Sequence, residues 1–192
     1  MDAATSTDLH GPAIELRLLD SGVSTVSTQE SISPDEDQYS NAGCFESMIL
    51  RFLDVLEVVD GQPLDRVGAS RLLARTVHML QTCKYDKSDI SAVLAMSTIH
   101  HKKLMNTMKK VSSVERSFIL IAQVYISHCI VLDECCLLYH WHRHVFTTYC
   151  DMPSLNRAIE KILKRMNYDL FVCPKDISRL AEYACTDVPS NP

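Results

Sequence analysis

The chain has 192 residues, 46% of them apolar, and a formal net charge of −5. That length suits one domain with a real core plus tails, and the acidic balance argues against wholesale nucleic-acid binding. With only five glycines, a turn-dense β-sandwich or barrel is excluded as an expectation.

Residues 1–42 are rich in Ser, Thr, Asp and Gln and keep no apolar period, which predicts a mobile polar tail. Ser33 before Pro34 is a minimal proline-directed phosphorylation site, although an unmodified turn is the commoner meaning of that pair. From Phe45 the pattern turns helical. Phe45, Met48, Ile49, Phe52, Leu53, Leu56 and Val59 share one face, predicting a helix over 43–61 that Gly61 and Pro63 end. A second helix is expected over 67–83, with Leu72, Leu73, Thr76, Val77 and Leu80 inward. Residues 84–88 read as a polar connection in which Asp86 or Ser88 can cap the next helix. That third helix starts near 89 and carries Ile90, Val93, Leu94 and Ser97 on one side.

Residues 100–110 are locally basic, yet Leu104, Met108 and Val111 keep an apolar stripe. The stretch lacks interleaved aromatics, so a solvated helix end and loop is expected rather than a nucleic-acid site. Ser112 and Glu115 have capping-box spacing. They open a helix over 116–132 that is apolar nearly all round, which must be surrounded by protein and is expected to be the core helix. Its apolar run is interrupted by Gln123, Ser127 and His128 and falls short of the ~20 residues of a membrane span. Asp133 and Glu134 end it. Residues 135–149 predict a less regular helix holding Trp141, the single tryptophan. After a break near Pro153, Leu155, Ile159, Ile162, Leu163 and Met166 form a clean stripe with Arg157, Lys161, Lys164 and Arg165 outward. Asn167 is a stop signal, the alternation of Tyr168, Leu170 and Val172 predicts an extended exit, and a short helix is expected over 177–184 within a C-terminal tail.

The fold class expected is therefore all-α, with helices packed around one buried helix and short connections. No catalytic constellation stands out. Eight cysteines occur with no CxxC pair and no signal-peptide pattern, so they read as reduced thiols of an intracellular, cytosolic or nuclear protein. His140 and His144 share a helical face near Cys135, Cys136 and Cys150, but they lack the glutamate and paired-cysteine spacings of known zinc sites. No metal, cofactor, small-molecule substrate or membrane is expected.

Several residues stand in a familiar order. Glu115 and Arg116 open the apolar helix, Asp133 and Glu134 follow it, Leu155 and Asn156 lie near the start of the last long helix, and Leu163, Tyr168, Leu170 and Val172 close it. Residues 66–172 in this respect resemble a cyclin box, and within that family the phosphate-response (P-type or P/U-type) cyclins. Those proteins close the box with Leu-Asn-x-Leu-Glu-x-x-Phe-Leu and then aromatic-x-Leu-x-Val. Their Ala-Ser-Lys late in the core helix is replaced here by Ile126, Ser127 and His128. The resemblance implies a single box of five helices around a buried one, preceded by the 43–61 helix. It also implies a regulatory subunit, not an enzyme, that docks the C helix of a cyclin-dependent protein kinase and so activates it. By the same resemblance, Lys84 or Lys87 would be the lysine between the first two box helices. Glu134 or Asp133 would be the acid after the core helix, and both groups would bind the kinase. A helical scaffold that shares the fold without switching on a kinase stays open as the alternative.

Overall fold

The computed structural model describes residues 36–61, 63–108, 110–132 and 136–185. Ser33, Pro34, Asp133, Glu134 and most of the expected tail lie outside them. Among the described residues there are seven α-helices and no strand. They are α1 (Glu36–Asp60), α2 (Arg66–Thr82), α3 (Lys87–Met105), α4 (Ser113–Val131), α5 (Leu138–Trp141), α6 (Met152–Arg165) and α7 (Pro174–Cys185). A π-helical turn, His142–Phe146, continues α5. The chain is all-α, as its sequence leads one to expect.

Short polar side chains start most of these helices. Asp65 accepts from the Gly68 N–H at 3.1 Å, Asp86 from Asp89 at 2.8 Å and Asp151 from Ser154 at 2.8 Å. Each satisfies an amide that the first helical turn leaves open, worth about 1 kcal/mol. The predicted capping box opens α4: the Glu115 N–H donates to Ser112 Oγ at 3.2 Å, and the Ser112 N–H donates to Glu115 Oε2 at 2.9 Å. α1 ends at Gly61, whose φ of 64° lets its N–H turn back to the Glu57 carbonyl at 2.8 Å. α1 begins at Glu36 rather than at 43. Residues 36–42 are polar and carry no apolar period, so a scan of the sequence reads them as tail.

The burial pattern corrects one expectation. α4 is covered along most of its length, with no exposed residue from 113 to 128. It is nevertheless not the single core helix, because α3 is buried on more of its surface and packs against α1, α4 and α7. α2 packs against α1, α4 and the π-helical turn. Polar residues hide α3's role from a hydrophobicity scan. Ser91, Ser97 and Thr98 are buried, and each hydroxyl donates to a carbonyl of its own helix, at 2.9, 2.7 and 3.1 Å. By length and composition α4 could cross a membrane, but half of its apolar window is buried inside this bundle.

Candidate partner-binding face

The α2–α3 connection, the site of both candidate lysines, is built by the end of α2. The Lys84 N–H donates to the Gln81 carbonyl at 2.8 Å and the Tyr85 N–H to that of Leu80 at 3.2 Å. This pair of bonds is a Schellman ending, which places Lys84 in the left-handed region at φ 65°. Lys84 is exposed there, while Lys87, the first residue of α3, is half-buried. Tyr85 turns inward and meets His128 of α4 edge-on, with ring centroids 5.3 Å apart.

His128 is fully buried and also packs against Trp141 at 5.5 Å, which in turn meets Tyr125 at 5.4 Å. Burial pushes the His128 pKa down to about 4, so the ring is neutral at pH 7. Neither of its nitrogens has a hydrogen-bond partner among the described residues, nor has the Trp141 indole N–H. An aromatic slot thus holds the α2–α3 connection against the end of α4.

The other side of that corner is close by. Cys83, next to Lys84, has its Sγ 2.9 Å from the Sγ of Cys136, two positions beyond Glu134 in the chain. Lys84 and the segment after the acidic pair therefore meet at one end of the bundle. Asp133 and Glu134 themselves lie outside the described residues.

Three residues of the basic stretch depart from the solvated helix end and loop expected there, while Lys102, Asn106, Thr107 and Lys110 are exposed as that expectation has it. His100 and His101 are fully buried. His100 Nε2 lies 3.2 Å from the Leu170 carbonyl and Nδ1 3.1 Å from Ser127 Oγ. A carbonyl only accepts, so Nε2 carries the proton and the Ser127 hydroxyl donates to Nδ1. Burial lowers the His100 pKa, despite the bond to Leu170. Lys103 Nζ donates to Asp169 Oδ2 at 3.1 Å and to the Phe171 carbonyl at 2.9 Å. His101 Nδ1 lies 2.8 Å from Gln123 Oε1 of α4. His100 and Lys103 thus clamp the exit of α6 to α3. Only the burial of His101 has a signal in the sequence: a stripe through Ile90, Leu94 and Ser97 continues through His101 and Leu104.

The clamped exit lines a shallow apolar groove of about 310 Å³ with Met96, Ile130, Val131, Leu170, Val172 and Ile177. Phe171, also on its rim, is 76% exposed, and Ile130 is 42% exposed. Among the described residues no three His, Cys, Asp or Glu side chains stand together as a metal site. His140 and His144 are exposed, and His142 Nε2 is 2.8 Å from the Cys150 carbonyl. Comparison with protein-family models, with curated proteins and with solved structures finds no match for this chain.

Proposed function

We propose that this chain is a cyclin-like regulatory subunit that binds and activates a cyclin-dependent protein kinase. The observation that carries the reading is the 2.9 Å approach of Cys83 to Cys136. It brings the Lys84 connection beside the segment after Asp133 and Glu134, the two corners at which the resemblance puts the kinase-binding lysine and acid. Exposed Ile130 and Phe171 add apolar area near the end of α4 and the α6 exit, suited to anchor a partner helix.

Such a subunit needs no catalytic group. It acts by binding the active arrangement of the kinase better than the inactive one. Moving a 1:99 equilibrium to 99:1 takes about 5.5 kcal/mol of differential binding, which an interface of roughly 1,600 Å² with good anchors can supply. The inward C helix completes the Lys–Glu ion pair that positions ATP phosphates.

The test is affinity capture from cells with the parent chain and with Lys84→Glu and Glu134→Ala, followed by mass spectrometry. Recovery of a cyclin-dependent kinase by the parent, and its loss from both variants, supports the reading. Undiminished recovery by Glu134→Ala removes the acidic residue from the interface.

A further inference from the structure

Cys83 caps the C-terminus of α2, and Cys136 stands two positions after Glu134 in the chain. The two are 53 positions apart in the chain, yet their Sγ atoms are 2.9 Å apart. A covalent S–S bond measures about 2.05 Å, so closing one requires a shift of less than about 1 Å. Cys83 is exposed and Cys136 half-buried, and both are reduced thiols. An oxidant therefore reaches the pair from solvent without opening the core. α2 is already finished when the chain reaches the pair: the Cys83 N–H is held by the Met79 and Gln81 carbonyls.

We infer that Cys83 and Cys136 form a redox pair, closed to a disulfide by a hydroperoxide and reopened by a thiol reductant. The exposed Cys83 thiolate attacks one peroxide oxygen. The O–O bond breaks, an alkoxide or hydroxide leaves and takes up a proton, and Cys83 becomes a sulfenic acid. The Cys136 thiolate then attacks that sulfur, the S–S bond forms, the S–O bond breaks, and hydroxide departs as water. In sum, two thiols and one hydroperoxide give one disulfide, one alcohol (water, for hydrogen peroxide) and one water. The two electrons lost by sulfur reduce the peroxide. Reopening proceeds by two thiol–disulfide exchanges in which a dithiol reductant is itself oxidised to a disulfide. The closed bond would fasten the α2–α3 connection to the segment after α4. This chemistry does not depend on the kinase reading.

The full chain is treated with hydrogen peroxide, its remaining thiols are alkylated, and tryptic peptides are analysed without reduction. Cys83 falls in peptide 76–84, and Cys136 falls in peptide 117–143 together with Cys129 and Cys135. The expected result is a linked 76–84/117–143 pair that dithiothreitol separates. The link should be lost in Cys83→Ser and Cys136→Ser and kept in Cys129→Ser and Cys135→Ser. All variants replace a thiol by a similar hydroxyl, and unchanged helical circular dichroism confirms their folding. Recovery of both peptides fully alkylated after peroxide overturns the inference. So does a link that survives in Cys136→Ser, or one found only in disulfide dimers on non-reducing gels.

Discussion

Lowering the pH from about 7 to about 4.5 should weaken this fold through His128. The ring is fully buried between Tyr85 and Trp141, and burial takes its pKa from 6.5 to about 4. The unfolded chain leaves the same ring near its ordinary value. Between those two pH values the unfolded state binds a proton that the folded state does not, so acid favours unfolding. The contribution is complete above pH 6.5 and is lost as pH falls towards 4. At about 1.36 kcal/mol per pKa unit the full loss is roughly 3 kcal/mol, and roughly 2 of it falls between pH 7 and 4.5. Against the ~5–15 kcal/mol total of an ordinary domain, this is a large effect. His100, lowered in the same direction by burial, steepens the slope further. The assay is urea unfolding, followed by circular dichroism at both pH values, for the parent and His128→Phe. Phenylalanine keeps a ring in the slot and has no proton to gain. The parent should lose roughly 2 kcal/mol more than the variant on acidification. Equal losses in the two proteins would refute the reasoning.

Lys84→Gly should raise stability by about 0.5 kcal/mol, because glycine adopts the left-handed ending of α2 without steric cost; thermal melting reads this directly. The same variant should lose kinase binding if the lysine side chain makes the contact, a split between stability and affinity that a purely structural lysine would not produce. His100→Ala should cost about 2–3 kcal/mol in urea melts, since it leaves the Leu170 carbonyl unsatisfied and opens a void. Lys103→Met should cost at most about 1 kcal/mol, its ion pair being partly exposed, while amide exchange at 169–172 quickens. Unchanged exchange there would show that Lys103 does not hold the exit.

The elements that local pattern could reveal were legible. The stripe through Met48, Phe52 and Leu56 faces the core, as do Leu155, Ile159 and Ile162, and the Ser112–Glu115 box opens α4. What local pattern missed depends on residues far apart in the chain. His100 and Lys103 look like solvated charge until their partners at 169–171 are brought beside them. α3 looks one-sided because its buried Ser97, Thr98, His100 and His101 make their hydrogen bonds inside the bundle. Residues 135–149 read as one irregular helix, whereas a single turn of α-helix ending at buried Trp141 passes into a π-helical turn that buries Val145 and Phe146. The 84–88 connection was legible as a connection. Its approach to the segment beyond Glu134 was not, since two cysteines 53 positions apart carry no mark of being neighbours.

The most direct measurement co-expresses the chain with a panel of cyclin-dependent kinases, captures it by a tag, and assays phosphoryl transfer to a Ser/Thr peptide. The account predicts that one kinase is retained and is far more active with the chain than alone, and that Lys84→Glu combined with Glu134→Ala abolishes the gain. A kinase bound but equally active without the chain would make it a scaffold. Retention of none of them would contradict the assignment.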